Sequence, residues 1–215
     1  NFTGHSKRTT LVSLLIAKKL CFDQSRYKNL YLASFMHDIG AVDAFDYCHS
    51  DSNFMYEHSE FGASIISKLP LDKEISKYIK YHHENEDGSG PNGFTGREVP
   101  EEAKIIHIAD MFELMYDEKK PYFVQKERII DWVTQNKGKL FDPDITDAFI
   151  AAAESERYWL DLENIDIYPD VLHRIAPIVE TPMSLDTLED IALVFAAIID
   201  KKSTFTHKHS VGLSN

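Results

Sequence analysis

The residues of this sequence best suited to chemistry are histidines and carboxylates beside predicted helices. Ten histidines occur among 215 residues. His37-Asp38 follows an apolar segment, and His82-His83, with Glu84 after it, follows another. Neutral imidazole and carboxylate groups are good ligands for borderline divalent metal ions. Because neighbouring residues on a helix point about 100° apart, the His37-Asp38 pair can serve two adjacent ions, or one ion and a bridge.

Two further helical segments carry the same residue types. His58 lies in EHSEFGASII, and Asp110 lies in IIHIADMFELM, where burying a carboxylate is unfavourable unless a cation or donors meet it. His107, Asp110 and Glu113 follow at a spacing of three, so they share one face of a helix. Taken singly, each position has a simpler interpretation. A carboxylate can cap a helix, a histidine can lie in the core, and a polar row can be a solvated face.

Hydrophobic periodicity predicts a mostly helical chain. Apolar residues recur at helical spacing in Thr9–Leu20, Tyr27–Asp38, Tyr56–Leu69, Lys73–His83, Glu101–Tyr116, Lys126–Gln135, Pro143–Glu154 and Ser184–Lys201. Glu84–Pro100 contains four glycines and two prolines, which predicts a long loop. Residues 157–182 are of mixed character, and no segment shows convincing strand alternation. The sequence therefore predicts an all-α fold.

Composition and charge narrow the partners and the compartment. Hydrophobic residues make up 43% and charged residues 27%, as in ordinary globular proteins. The net charge of -12 repels a nucleic-acid backbone, although metal ions could still hold a small anion. The longest apolar run, Ile191–Ile199, is too short to cross a bilayer. Cys21 and Cys48 form no obvious disulfide framework, which favours the reducing cytoplasm.

The order of these residues along the chain is more specific than any one of them. The series reads HSKR at His5, HDIG at His37, EHSEFGASII around His58, HHENEDGSG at His82, GFTGREVP at Gly93, IADMFELM around Asp110, KKPY at Lys119 and FDP at Phe141. It resembles the HD superfamily of metal-dependent phosphohydrolases. The wider match is to the HD-GYP branch, the cyclic di-GMP phosphodiesterases. The resemblance runs from about Asn1 to Phe149.

This resemblance implies an HD-domain helical bundle that holds two or three divalent metal ions, usually iron or manganese. The implied metal ligands are His5, His37, Asp38, His58, His82, His83 and Asp110. Asp38 is the implied bridge between two ions and the candidate catalytic residue. Lys104 and Arg97 are the candidate substrate-binding residues, and the implied substrate is a cyclic dinucleotide. Metal-bound water would act as the nucleophile.

Several departures from the branch fall on positions that contact substrate. Ala41 follows Gly40 where a lysine is usual, and Gly-Tyr-Pro is reduced to Gly90-Pro91. Lys104 replaces an arginine, which removes the bidentate phosphate contact of a guanidinium. The ligand series is intact, whereas the substrate contacts are eroded. The alternative function is therefore a catalytically degenerate HD domain that regulates, or dimerises, an active HD-GYP partner domain.

The C-terminal part of the sequence predicts a further organisation. We expect an HD/HD-GYP-like domain at 1–156, a helical or irregular extension at 157–183, a linker helix at 184–201 and the start of a second HD-GYP domain at 202–215. Residues 200–214 resemble the opening of such a domain, with His209 as its first ligand. Leu188 and Phe195 lie on the apolar side of the linker helix, which could pack on this domain, lead into the next one or form a homodimer.

Overall fold

The computed structural model describes residues 2–42, 51–168, 170–180 and 184–202. His207 and His209, on which the expected second domain depends, lie outside these residues, as do Asn1 and Cys48. Among the described helices, none is both long enough and apolar enough to span a bilayer.

The described residues form ten α-helices and no β-strand, which confirms the predicted all-α class. The helices are α1 (Phe2–Lys19), α2 (Gln24–Met36), α3 (Ser52–Ile66), α4 (Lys73–Lys80), α5 (Glu101–Met115), α6 (Lys126–Gln135), α7 (Pro143–Ala153), α8 (Glu156–Asn164), α9 (Asp170–His173) and α10 (Leu185–Lys202). A short 3-10 helix, Tyr122–Val124, precedes α6. Residues 84–100 form the predicted long loop between α4 and α5.

Aspartates fix where several of these helices begin. The carboxylates of Asp23, Asp51, Asp72 and Asp142 each accept a hydrogen bond from a backbone N–H in the first turn of α2, α3, α4 and α7. Such caps satisfy N–H groups that have no partner inside the helix. Helix α2 ends at Met36, directly before His37, and α4 ends at Lys80, two residues before His82.

Helix α1 lies at the centre of the bundle. It packs against α2, α5 and α7, while α4 packs against α2, α3 and α5. The helix begins at Phe2 rather than near Thr9, so His5 lies inside it. Its first turns lack an apolar stripe because the buried side chains there are polar, among them Ser6 and Arg8. Periodicity of apolar residues could not reveal this part of the helix.

Helix α8 lies at the start of the segment that was predicted to be a helical or irregular extension. Its buried side chains, Tyr158, Trp159 and Leu162, have helical spacing, but charged residues surround them in the sequence. The ring of Phe112 in α5 contacts Phe149, Tyr158 and Trp159, with centroids 5.6–6.0 Å apart. The hydrophobic core therefore includes side chains from both sides of residue 156.

Candidate metal centre

Seven polar side chains from five parts of the fold meet in the interior. His5 projects from α1, His58 from α3 and Asp110 from α5. His37-Asp38 follows α2, and His82-His83 follows α4. All seven residues are at most 3% exposed. Burying so many polar groups is unfavourable unless they are satisfied by one another or by a bound cation. The set coincides with the ligands that the sequence resemblance implies.

The potential ligand atoms form two adjoining groups. In the first cluster they belong to Asp38, His58, His82 and His83, and in the second cluster to His5, His37 and Asp110. Within each cluster the atoms lie within 4.8 Å of one another.

The Asp38 carboxylate lies between the two clusters. Its Oδ1 is 3.3 Å from Nε2 of His58 and 3.7 Å from Nε2 of His82. Its Oδ2 is 3.4 Å from Nε2 of His5 and 3.3 Å from Nε2 of His37. Each oxygen therefore faces a different cluster, which is the arrangement that a bridging carboxylate needs.

Backbone carbonyls orient three of the imidazoles. The outward-facing Nδ1 atoms lie 2.6–2.8 Å from carbonyl oxygens, His37 from that of Ser34, His58 from that of Phe54 and His82 from that of Ile79. Because only a protonated Nδ1 can donate to a carbonyl, Nε2 of the neutral ring carries a lone pair that points into the site. Histidines that bind metals are commonly fixed in this way by the other ring nitrogen.

The imidazole of His5 is oriented by a carboxylate instead of a backbone carbonyl. Nδ1 of His5 donates to Oε2 of Glu113 at 2.7 Å. Oε1 of Glu113 accepts from the Arg8 guanidinium, at 2.9 Å from Nε and 2.6 Å from one Nη. Neither residue was a predicted site residue. The spacing of three between Asp110 and Glu113 was the available signal, since it puts both carboxylates on one face of α5.

These atoms fit divalent metal ions. None of the described residues donates a hydrogen bond to either oxygen of Asp38 or to Nε2 of His82. Nε2 of His5 is 3.1 Å from Nε2 of His37, and Nε2 of His83 is 2.9 Å from Nε2 of His58. Lone pairs that face each other so closely repel unless a cation or proton lies near both. Two imidazoles on one ion, at about 2.1 Å each, have nitrogens about 3.0–3.4 Å apart.

The charges in the site favour added positive charge. Burial disfavours a charged His5, but the nearby carboxylates of Asp110 and Asp38 outweigh it and raise its pKa to about 12. Burial also disfavours a charged His37, but the neighbouring Asp38 carboxylate outweighs burial and raises the pKa of His37 to about 10. Burial lowers the pKa of His82. Burial also opposes ionisation of Asp38, yet the imidazoles, His37 foremost, hold its pKa well below its usual range. Bound metal ions would supply this positive charge instead of protons.

A glycine lets the two halves of the first cluster approach. Gly40 follows Asp38 directly after α2, and a Cβ atom there would overlap the carbonyl oxygen of His58. It would also come within 2.7 Å of the backbone nitrogen of Gly62. The end of α2 therefore lies directly against α3, which brings Asp38 and His58 together.

Glu84, the residue after His83, anchors the long loop beside the site. The buried Glu84 carboxylate accepts hydrogen bonds from the backbone and side-chain nitrogens of Asn92, both at 2.8 Å, and from the backbone of Phe94 at 3.1 Å. Gly88, with φ of 81°, provides the left-handed turn that the fold of the loop requires. The Glu84 carboxylate thus ties Asn92 and Phe94 of the loop to the position next to His83.

The predicted substrate-binding residues lie outside both clusters. The Lys104 ammonium pairs with Asp142 and lies 3.8 Å from Glu86. Arg97 is exposed and forms no hydrogen bond or ion pair with other described residues. Ala41, at the position of the usual lysine, is buried. Lys104 is therefore occupied by an intramolecular ion pair, and Arg97 faces solvent.

The comparisons with known proteins agree with this fold. Residues 1–145 match the family model described as HD domain, and the chain belongs to that family. The chain is 28% identical over 180 residues to a cyclic di-GMP phosphodiesterase of Thermotoga maritima, covering 76% of this chain and 46% of that protein. It is 27% identical over 157 residues to the cyclic di-GMP phosphodiesterase response regulator RpfG of Xanthomonas campestris, covering 67% and 41%.

Other relatives come from Vibrio cholerae. The 3'3'-cGAMP-specific phosphodiesterase 3 is 29% identical over 128 residues, which cover 55% of this chain and 28% of that protein. The crystal structure of a cyclic GMP-AMP specific phosphodiesterase superposes with a TM-score of 0.78 at 18% identity, over 96% of this chain and 57% of that one. This likeness confirms the HD-type fold. The chain spans less than half the length of the curated relatives it matches.

Proposed function

We propose that this chain is a metal-dependent phosphodiesterase domain that cleaves a phosphodiester bond of a cyclic dinucleotide. The observation that carries the proposal is the position of Asp38, whose two oxygens face two different clusters of potential ligands. Such an arrangement suits two adjacent divalent cations, iron or manganese. Relatives over most of this chain's length are cyclic dinucleotide phosphodiesterases, which supports the substrate class.

The chain's own residues would hold the ions and fix their geometry. His58, His82 and His83 would hold one ion, His5, His37 and Asp110 another, and Asp38 would bridge them. When bound, the ions would supply a water of lowered pKa and stabilise charge on the phosphodiester oxygens. Backbone carbonyls and Glu113 keep the imidazole lone pairs directed inward, so no reorientation is needed when ions bind.

Charge explains why the ions would also be needed for substrate binding. The chain carries a net charge of -12, and Lys104 is occupied by Asp142. A dinucleotide with two phosphates would therefore be repelled by the protein alone. Cations in the site would supply the attraction that Ala41 and Lys104 do not. Arg97 remains available at the surface for a further contact.

The residues at positions 41 and 104 also favour a second function. Ala41 is buried and Lys104 is paired, so neither offers a free cation to a phosphate. A degenerate domain that binds metal and regulates an active partner domain would need no such contact. The two functions differ in turnover and not in metal content.

The test is hydrolysis by protein loaded with manganese or, without oxygen, with iron. We expect turnover of cyclic di-GMP that His37→Ala and Asp38→Ala abolish. Metal binding of normal stoichiometry without any turnover of cyclic di-GMP, 3'3'-cGAMP or bis(p-nitrophenyl) phosphate would contradict the enzyme and favour the regulatory domain.

We also infer that a second copy of the chain covers the exposed side of α10. Thr187 and Val194 face the bundle, whereas Leu185, Leu188 and Phe195 are exposed. With Ile199, which is also exposed, these residues recur at spacings of three, seven and four, as in the seam of a coiled coil. A helix with apolar residues on both sides would thus pack on its own domain and on its symmetry mate.

A further inference from the structure

A cavity of about 250 Å³ opens beside the first cluster, between the long loop and α5. His83 lines it, so the cavity adjoins the candidate metal centre. Met55 and Met111 form apolar parts of its wall, and Asn85 and His107 form polar parts. The resemblance to HD-GYP domains assigned no role to Asn85 or His107.

The Asn85 amide is held in a fixed orientation at the wall of this cavity. Its Oδ1 lies 3.1 Å from Nε2 of His107. Its Nδ2 donates to Oγ of Ser89 at 2.9 Å, and that hydroxyl donates to Asp87 at 2.6 Å. An amide has two N–H groups and two lone pairs on its oxygen. No other group of the described residues bonds to this amide, so one donor and one acceptor are left for a ligand.

An amide group presents an N–H donor and a carbonyl acceptor in one plane. Purine bases present the complementary pair along one edge, and asparagine reads adenine in this way in nucleic-acid complexes. The methionine thioethers beside the amide are flexible and polarisable, and they make favourable contacts with aromatic rings. The wall of the cavity thus combines a flat polar recognition group with surfaces that suit a ring.

We propose that this cavity binds a purine base of the substrate and that Asn85, positioned by His107, recognises the base edge. The proposal rests on the proposed function, because a base here would place its attached phosphodiester toward His83 and the metal centre. It names Asn85 as a residue that determines specificity for a nucleotide over a simple phosphodiester.

The test compares a ligand that carries purine bases with one that has none. Manganese-loaded protein is titrated calorimetrically with cyclic di-GMP, and turnover of cyclic di-GMP and of bis(p-nitrophenyl) phosphate is measured in parallel. Asn85→Ala removes the recognition group. Asn164→Ala is the matched control, since the amide of Asn164 donates to the carbonyl of Leu160 on an exposed part of α8.

We expect Asn85→Ala to weaken cyclic di-GMP binding about tenfold, the loss of one to two hydrogen bonds. The ratio of kcat/KM for cyclic di-GMP to that for bis(p-nitrophenyl) phosphate should fall by a similar factor, while Asn164→Ala leaves it unchanged. Equal losses for both diesters would overturn the proposal, because Asn85 would then act through the metal centre. Unaltered binding in Asn85→Ala, or no binding by the wild type, would also overturn it.

Two outcomes separate the base site from the phosphodiesterase activity. Protein that binds cyclic di-GMP through Asn85 but hydrolyses neither diester would support the base site and contradict the phosphodiesterase activity. Protein that hydrolyses bis(p-nitrophenyl) phosphate without binding cyclic di-GMP would do the reverse.

Discussion

The metal centre and α10 depart from the usual distribution of side chains in opposite directions. The centre buries seven imidazole and carboxylate groups, none more than 3% exposed, whereas Leu185 and Phe195 of α10 are 83% and 61% exposed. Buried polar groups and exposed apolar surfaces are the informative exceptions in a folded protein. On the functions proposed above, cations would complete the first region and a second copy of the chain would cover the second.

The two regions also differ in how firmly they are held. The imidazoles of the centre are oriented by hydrogen bonds to carbonyls and to Glu113, within a bundle packed on all sides. α10 packs against α3, where the Lys201 ammonium lies 3.8 Å from the centre of the Phe61 ring. The imidazoles are therefore already oriented for a ligand, whereas α10 is expected to gain stability from a partner. Substitutions at four places in the structure test this contrast.

The largest effect is expected at Asp38. Asp38→Asn keeps the shape of the side chain but removes the charge that faces both clusters. We expect the metal content to fall and kcat/KM for cyclic di-GMP to drop at least about 1000-fold, because an ion bridge contributes directly to charge stabilisation. Elemental analysis and steady-state kinetics measure both. Asp131→Asn, on the exposed face of α6, is the control, and a fully active Asp38→Asn would exclude a bridging role.

The next effect concerns self-association through α10. Leu188→Glu with Phe195→Glu places two charges in the apolar seam, and we expect the dimer to weaken at least about 100-fold because both charges would be desolvated. Sedimentation equilibrium measures the change. Leu160→Glu alters a similarly exposed leucine in α8 and should leave the dimer intact. Metal content should not change in either variant. A monomeric wild type would contradict the dimer.

A smaller effect is expected at the carboxylate behind His5. His5 and Arg8 donate to different oxygens of Glu113, and Glu113→Gln replaces one of these oxygens with an NH2 group, so one of the two contacts is lost. We expect a 10- to 100-fold loss of metal affinity, the usual result of removing a carboxylate that orients a ligand. Competition with a chelator measures it. Glu113→Asp should restore part of the affinity, and Glu156→Gln, at an exposed position, should have none of the effect. Unchanged affinity in Glu113→Gln would refute the orienting role.

The smallest effect is expected at the ion pair between Lys104 and Asp142, which belongs to neither region. Burial opposes ionisation of Asp142, but its hydrogen bonds with Lys104 and with the backbone N–H of Ile145 outweigh burial and lower its pKa. A lowered folded-state pKa stabilises the protein above the unfolded pKa of about 3.9 and ceases to do so as the pH falls through the folded value.

Asp142→Asn should therefore reduce the free energy of unfolding by about 1 kcal/mol at pH 7, since asparagine still caps α7 but lacks the charge. The difference from wild type should shrink below about pH 4. Urea denaturation at several pH values measures it, with Asp144→Asn as the control. A pH-independent difference would mean that the ion pair contributes nothing.

The sequence predicted the ligand types better than their supports. The histidine and aspartate series and the resemblance it carries placed seven residues that the fold does bring together, although they are far apart in the chain. Glu113 was seen to share a face with Asp110, but its contact with Arg8, 105 positions away, left no local signal. The bounds of α8 were not predicted because its buried residues are few and flanked by charges. Lys104 was expected to face substrate, and no local pattern revealed its pairing with Asp142.

The measurement that tests the central claim most directly is the metal content of the protein. Protein purified without oxygen is analysed for iron, manganese, zinc and nickel, and again after reconstitution with each metal. A bridging Asp38 between two clusters predicts at least two ions per chain. Near-zero metal, even after reconstitution, would contradict the account, because the buried imidazoles and carboxylates would then be satisfied by protons alone.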